Sequence, residues 1–311
     1  MITLIQLEYI TALDTYRHFA TAAEKCFVTQ PTLSMQVRKL EDDLGFIVFD
    51  RSRQPVIPTE QGRYIIEQAR IVLQEASRIE TIASEIKQQV SGELRIGLIP
   101  TISPFLLPLF AGRFKRAHPS IDLKVEEAVT ETIERMLEKD MLDIGIVVTP
   151  LHNPGIIEQI LYYEEMMIYH HPGHPFSEKS IINADKIDHG DMWLLGDGHC
   201  FRNQVVNFCE IQKLEHTKLP YKFEGGSINT LMKIIDREGG YTLIPELAVL
   251  ESKSNEQVKR FARIKPLREV SLIYTRKYVK TRMIELLAEC IKTSIPEHML
   301  KRERGAVVEW R

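Results

Sequence analysis

Residues 19–45 read FATAAEKCFVTQPTLSMQVRKLEDDLG and predict two helices joined by a tight turn. Thr29 offers an N-cap for the second helix, Pro31 stands in its first turn, and Gly45 ends it. A helix pair whose second helix begins with small polar residues is typical of a helix-turn-helix. The segment therefore predicts DNA binding, although a plain helical bundle with a solvated polar face has the same pattern.

Two neighbouring features supply groups for nucleic acid. Residues 49–59, FDRSRQPVIPT, predict a short hairpin or wing in which Arg51 and Arg53 clamp phosphates. The chain holds 40 Lys and Arg against 43 Asp and Glu, a net charge of −3, so DNA binding must use a local surface. The polar face of the second helix carries Gln30, Thr32, Ser34, Gln36, Arg38 and Lys39.

One long helix is predicted from about Thr59 to Val90. Its apolar residues alternate steps of four and three, which is a heptad seam on a charged surface. A second copy of the chain is the natural partner for such a seam, and packing on the chain's own body is the alternative. A dimer would hold two recognition helices at a fixed spacing. The seam consists of Ile65, Ala69, Val72, Ala76, Ile79, Ala83, Ile86 and Val90.

The remainder of the chain has an α/β pattern. Strand and helix patterns alternate from Glu93, which predicts a largely parallel sheet. Strands at 166–170 and 192–195 predict a second subdomain, and residues 270–274 lead back to the first. A cleft between two such subdomains is where a ligand normally sits.

Residues 196–209, GDGHCFRNQVVNFC, hold two of the four cysteines. His199 and Arg202 flank Cys200, and a nearby cation favours the reactive thiolate. The segment predicts a helix with Cys200 at its N-terminus, where the helix dipole lowers a thiol pKa further. In a continuous helix Cys200 and Cys209 lie about 13 Å apart along the axis.

A disulfide between these cysteines would need Cα atoms within roughly 7 Å, so the segment would have to unwind and repack. Such a bond would be a reversible covalent switch. The alternative is that both cysteines are small core residues, because free cysteines are commonly buried and inert.

Two sets of residues resemble the LysR family of transcription regulators. The N-terminal set resembles that family's winged helix-turn-helix, which implies base contacts from Gln30, Pro31, Thr32, Ser34 and Arg38. The second set, 198–204 with Phe208 and Cys209, closely resembles the redox segment of the family's peroxide-sensing members. The N-terminal set comprises Ala22–Ala23, Thr29–Ser34, Leu40–Glu41, Leu44–Gly45, Phe49–Arg51 and Pro58–Gly62.

The resemblance implies a fold and its boundaries. An all-α winged helix-turn-helix domain at 1–59 precedes a linker helix at 60–91. An α/β regulatory domain like a periplasmic binding protein follows at 92–311. Its first subdomain covers about 92–164 and 269–300, and its second covers about 165–268.

The resemblance also implies roles in a peroxide site. Cys200 is the peroxide-reacting thiol and Cys209 the resolving one. Thr101 and Thr130 stand where the site's threonines are expected, although helix capping is an equal reading of both residues. The family carries an arginine near Tyr274, whereas this chain has Thr275 there and Arg276 one position later.

Other features indicate no cofactor, no metal and no membrane segment. The run from His170 to His174 lacks partners at ligand spacing and is read as a loop. Cys26 and Cys290 are read as packing residues. No apolar run approaches the ~20 residues that span a bilayer, and no signal peptide opens the chain, so cytoplasm is the default location.

These observations predict a regulator that senses hydrogen peroxide through a Cys200–Cys209 disulfide and controls antioxidant genes as an activator. Its expected partners are double-stranded DNA, a second copy of the chain in a dimer or tetramer, RNA polymerase and a cellular thiol reductant. One alternative is a LysR-type regulator that binds a small metabolite in the cleft. A thiol peroxidase is the other, and the helix-turn-helix argues against an enzyme.

Overall fold

A computed structural model describes residues 1–86, 90–184, 187–210, 218–250, 255–262, 264–275 and 281–310. The chain forms two compact units, Met1–Gln89 with Lys277–Thr281, and Val90–Arg276 with Arg282–Arg311. Within the described ranges, no helix combines the length and the apolarity needed to cross a membrane.

The first unit is helical, with a small wing. Thr29 caps the third helix by accepting from the backbone N–H of Thr32 at 3.4 Å, and Gly45 ends it with a φ of 79°. Leu33 and Val37 are fully buried against the first helix, so the predicted helix-turn-helix and wing are confirmed. The elements are α1 (Leu4–Tyr16), α2 (Phe19–Lys25), α3 (Gln30–Leu44), β1 (Phe49–Asp50), β2 (Ile57–Pro58) and α4 (Glu60–Ile86).

The predicted long helix is confirmed as α4, and its seam divides into two parts. Ala69 is buried with Ile66 in the core of the first unit. Val72 and Ile79 are exposed, at 37% and 70% of their surface. The single chain therefore covers only the beginning of the seam, and the dimer stays a prediction. Val90 lies outside the helix as described, and positions 87–89 lie outside the described residues.

The second unit is built on one curled sheet. Strands β3, β4 and β5 pair in parallel, with β3 in the centre. Strand β10 runs antiparallel to both β5 and β6, and β8 is antiparallel to β6. The strands are β3 (Gly92–Leu98), β4 (Ile121–Glu127), β5 (Ile144–Thr149), β6 (Ile156–His170), β7 (Ile181–Ile182), β8 (Tyr241–Pro245), β9 (Val258–Phe261), β10 (Pro266–Thr275) and β11 (Ala306–Val307).

Two details correct the predicted sheet. It is mixed and not largely parallel, because the long strands β6 and β10 cross the unit antiparallel to each other. Residues 192–195 form no strand beyond an isolated bridge between Met192 and Tyr241. No ladder forms because side chains bond the carbonyls of this run: Trp193 accepts from the Thr242 hydroxyl at 2.7 Å and Leu195 accepts from Arg202 at 3.1 Å.

Helices cover the sheet and present their first residues near the strand ends. Buried apolar residues such as Phe110, Ile133 and Leu287 fill the space between helices and sheet. The helices are α5 (Ser103–Ala117), α6 (Thr130–Glu138), α7 (Cys200–Phe208), α8 (Ile228–Glu238), α9 (Glu246–Leu250) and α10 (Thr281–Lys292).

Candidate redox site

The two central cysteines lie at opposite ends of α7. Cys200 is the first residue of the helix, after the N-cap His199, and Cys209 is the C-cap. Both are free thiols and both are buried. The predicted helix is thus confirmed, and its length places the two residues about 13 Å apart along the axis. A bond between them requires that α7 unwind.

Burial dominates the chemistry of the Cys200 thiol. Only 5% of the residue is exposed, and burial raises the pKa of its thiol to about 11. The charge of Arg268 and the hydroxyl of Thr130 act in the opposite direction and lower that pKa. The predicted lowering of this pKa is therefore not found in this state, because desolvation outweighs the nearby cation.

The two residues that flank Cys200 do not hold a thiolate. Arg202 donates to the carbonyl of Leu195 at 3.1 Å and pairs with Asp197 at 2.9 Å. Residues two apart in a helix point to different faces, so sequence proximity did not bring Arg202 to the sulfur. Burial lowers the pKa of His199, which makes its imidazole neutral at pH 7.

Gly226 lies directly behind the His199 ring. A Cβ at this position would stand 2.3 Å from the imidazole Cε1, so only glycine leaves room for the ring. The segment that follows α7 therefore fixes where the imidazole lies.

The cation that lowers the pKa of the Cys200 thiol is Arg268, a residue that the sequence analysis did not predict. Its guanidinium lies 4.9 Å from the ring centroid of Phe201, beside Cys200. It donates to the hydroxyl of Thr101 at 3.2 Å and to that residue's carbonyl at 2.8 Å. Its Nε donates to Glu164 Oε1 at 2.6 Å. Arg268 stands next to Glu269 in β10, so the residue types around it gave no clear signal of a buried cation.

Both predicted threonines belong to this site. Thr101 is held by Arg268, and Thr130 lies beside the Cys200 thiol. Neither caps its helix, because the N-caps of α5 and α6 are Ile102 and Val129, with no side-chain capping bond. Apart from the thiol, no group in the described part of the chain bonds the buried Thr130 hydroxyl. A small polar ligand would find an unoccupied hydrogen-bonding group there.

The other cysteines and the remaining site predictions differ in their outcome. Burial raises the pKa of Cys209 to about 12, so it too is a protonated thiol at rest. Burial also raises the pKa of Cys26 and Cys290, as expected of packing residues. Arg276 lies outside the described residues, so its predicted contact is not tested.

In the histidine run, His174 pairs with Asp191 at 3.0 Å and His170 bonds the carbonyl of His171 at 2.8 Å. These contacts are local packing contacts within the second unit.

The residues of α3 that are predicted to bind DNA differ in their exposure. Gln30, Pro31 and Arg38 are exposed on α3, Ser34 is half-buried, and the Thr32 hydroxyl bonds that of Thr29 at 2.8 Å. These positions remain candidates for base and phosphate contacts.

The two wing arginines differ from each other. Arg53 is 69% exposed and only loosely paired with Asp50 at 3.5 Å. Arg51 pairs at 2.5 Å with Glu41, a buried carboxylate that also accepts from the backbone of Val48 and Phe49. The guanidinium of Arg51 therefore ties the wing to the helical core, and its contact with phosphate stays a prediction.

Comparison with known families agrees with this architecture. Residues 4–63 match the family described as bacterial regulatory helix-turn-helix protein, lysR family. Residues 87–296 match the LysR substrate binding domain. Together the two matches cover most of the chain.

Two curated relatives are similar over nearly their whole length. A hydrogen peroxide-inducible genes activator of Haemophilus influenzae is 36% identical over 270 residues, which is 86% of this chain and 89% of the relative. The DNA-binding transcriptional dual regulator OxyR of Escherichia coli K12 is 34% identical over 304 residues, which is 97% and 98% of the two chains.

Solved structures give the same result. A full-length OxyR of Pseudomonas aeruginosa with a cysteine-to-aspartate substitution superposes with a TM-score of 0.79 at 32% identity, over 94% of this chain and 95% of that one. A hydrogen peroxide-bound OxyR cysteine mutant of Corynebacterium glutamicum gives 0.62 at 26% identity, over 94% and 92%. This chain belongs to the LysR family of helix-turn-helix transcription regulators, and within that family to its OxyR proteins.

Proposed function

We propose that this protein is a transcription regulator that senses hydrogen peroxide through a reversible Cys200–Cys209 disulfide and activates antioxidant genes. The observation that carries the proposal is the surroundings of Cys200, a buried thiol at a helix start with the Thr130 hydroxyl beside it. Arg268 supplies the positive charge, and a second buried thiol stands at the other end of the same helix. The relatives named for hydrogen peroxide support the same function.

In the first step, the Cys200 sulfur attacks one oxygen of hydrogen peroxide and the O–O bond breaks. Cys200 becomes a sulfenic acid, and the thiol proton leaves on the departing oxygen as water. Arg268 and the Thr130 hydroxyl favour the thiolate as the proton departs. Thr101, held by Arg268, helps to orient the peroxide, and the neutral His199 is available to relay the proton.

In the second step, α7 unwinds and the Cys209 sulfur displaces hydroxide from the sulfenic acid, giving the disulfide and a second water. The repacked segment changes the contacts of the regulatory domain and with them the spacing of the DNA-binding domains. A cellular thiol system reduces the disulfide, and no cofactor is needed. The partners that complete the proposal are a dimer or tetramer of this chain, RNA polymerase and double-stranded DNA in the cytoplasm.

The domain limits belong to the proposal. Residues 1–59 bind DNA, 60–91 form the linker and dimerisation helix, and 92–311 form the regulatory domain. Within that domain the first subdomain covers about 92–164 and 269–300, and the second about 165–268.

The test is a disulfide map of the purified reduced protein after stoichiometric peroxide, for wild type and Cys209→Ser side by side. We expect a Cys200–Cys209 link in wild type and a trapped sulfenic acid at Cys200 in the variant. The DNA footprint should differ between the reduced and oxidised wild type. If Cys200 stays a thiol in excess peroxide, the switch is wrong, and a small metabolite in the cleft becomes the function to test.

A further inference from the structure

The last described residues of the chain lie along the strand that carries Arg268. Strand β11 pairs in parallel with the first residues of β10, Pro266 and Leu267. The N–H of Ala306 donates to the carbonyl of Lys265 at 3.0 Å, and the N–H of Val308 donates to the carbonyl of Leu267 at 2.8 Å. We call residues 306–310 the C-terminal strap.

The redox helix α7 binds this strap through two side chains. Gln204 Nε2 donates to the carbonyl of Val308 at 2.7 Å, and Asn207 Nδ2 donates to the carbonyl of Glu309 at 3.0 Å. Gln204 has no exposed surface, and Trp310 at the end of the strap is 4% exposed. Both donors lie between the two cysteines of the switch.

Helical geometry is what allows both bonds at once. Gln204 and Asn207 are three residues apart, so the helix places them on one face, about 4.5 Å apart along the axis. Their acceptors belong to adjacent residues, whose Cα atoms lie about 3.8 Å apart. If residues 200–209 became extended, the two donors would be about 10 Å apart and could not reach adjacent carbonyls.

The segment just before the strap is anchored separately. Arg304 Nη2 donates to both carboxylate oxygens of Glu246, at 2.8 and 2.9 Å, and His298 bonds the same carboxylate at 2.9 Å. These contacts do not involve α7. Unwinding of α7 therefore removes the two side-chain bonds to Val308 and Glu309, while the backbone bonds of the strap to β10 and the anchors of residues 298–304 remain.

We propose that Gln204 and Asn207 are positioning residues that clamp α7 to the C-terminal strap in the reduced protein, and that disulfide formation releases the strap from α7. The inference rests on the proposed Cys200–Cys209 disulfide. The clamp stabilises only the reduced, helical state, so it sets how readily the second step follows the first. A neutral hydrogen bond contributes a factor of roughly 2 to 10 to an equilibrium of this kind.

Variants of the full chain separate the two steps. Gln204→Met removes the buried donor at similar volume, and Asn203→Ala, which removes an exposed amide on the same helix, is the control. We expect faster disulfide closure in Gln204→Met and a redox midpoint about 10–30 mV more negative, which is a 2- to 10-fold shift for a two-electron couple. In the Cys209→Ser background, Gln204→Met should form the sulfenic acid at an unchanged rate.

Hydrogen exchange on the wild type tests strap release without any variant. On oxidation the strap loses its bonds to α7, so the amides of Ala306 and Val308, which bond β10, should lose part of their protection, while those of Met299 and Lys301 keep theirs. If wild type forms no disulfide, the proposed function fails. If the disulfide forms but the strap amides keep their full protection, the proposed release of the strap is wrong and the proposed function stands. The same holds if Gln204→Met forms the disulfide at the wild-type rate and with the wild-type redox midpoint.

Discussion

Arg268 and Glu164 form a fully buried ion pair, with 2.6 Å between Nε and Oε1. Burial raises the pKa of Glu164, and Arg268 opposes that shift. The pair holds the guanidinium that also binds Thr101 and lies over Phe201. Arg268 therefore belongs both to the buried ion pair and to the redox site.

Breaking this pair should be costly at neutral pH. Arg268→Met leaves a buried carboxylate without its partner, and we expect a loss of about 3–5 kcal/mol in the free energy of unfolding. Denaturant unfolding followed by tryptophan fluorescence measures it, because Trp193 and Trp310 both lie in the second unit. The double variant with Glu164→Gln should recover much of the loss, and additive losses would contradict the pairing.

The same variant should have a characteristic pH dependence. Without Arg268 the raised pKa of Glu164 rises further, so the folded state holds the proton more tightly than the unfolded state. Stability that is present at acidic pH is then lost as pH rises through that pKa. The free energy of unfolding that Arg268→Met loses relative to wild type should shrink as pH falls from 7 towards 5. Unfolding midpoints of both proteins at each pH measure it. A deficit that grows on acidification would show that Glu164 is not the cause.

Thr130→Val tests the hydroxyl beside the thiol. Valine keeps the shape but loses the group that lowers the pKa of Cys200, so oxidation by peroxide should slow by roughly tenfold or more. Stopped-flow oxidation of the Cys209→Ser protein measures the first step alone. Thr132→Val is the matched control, because that hydroxyl accepts from Arg135 at 3.0 Å near the surface of α6. Equal slowing in both variants would contradict a role for Thr130.

The two wing arginines should separate stability from DNA binding. Arg53→Ala should leave the first unit's stability unchanged, weaken DNA binding and lower the salt dependence of binding by about one phosphate contact. Arg51→Ala should cost about 1–2 kcal/mol of stability, because it removes the partner of the buried Glu41. Calorimetry and DNA titrations at several salt concentrations distinguish them. The reverse pattern would show that Arg51, and not Arg53, is the main phosphate contact of the wing.

Phe27 offers a stabilising substitution. Its φ of 56° is strained for a residue with a bulky side chain. The residue is 96% exposed, so no burial of the ring compensates for that strain. Phe27→Asn should raise the free energy of unfolding by about 0.5–1 kcal/mol, because asparagine tolerates this conformation. Phe27→Ala removes the ring but not the strain, and it should give no such gain. A gain in both variants would attribute the effect to the ring.

The sequence predicted local structure well and the site only in part. The start and end of α3 follow from Thr29 and Gly45, whose capping roles need no tertiary context. The position of Arg268 at the thiol depends on strand order, because β10 returns between β5 and β6 from a distant part of the chain. No spacing rule carries that information.

The chemistry of Cys200 was misjudged for a related reason. Its cationic sequence neighbour Arg202 bonds elsewhere, and the depth of burial, which decides the thiol's pKa, follows from packing of the whole unit. Residue types near a cysteine indicate which charges are available. They do not indicate how much water the folded chain removes from the sulfur.

The burial of Cys200 also has a consequence for which oxidants the protein can detect. Cys200 is 5% exposed, so an oxidant must enter the packing around the sulfur, and a small molecule disturbs that packing less than a bulky one. Hydrogen peroxide is close to water in size, whereas organic hydroperoxides and glutathione disulfide are much larger. We therefore expect the resting thiol to react faster with hydrogen peroxide than with these larger oxidants.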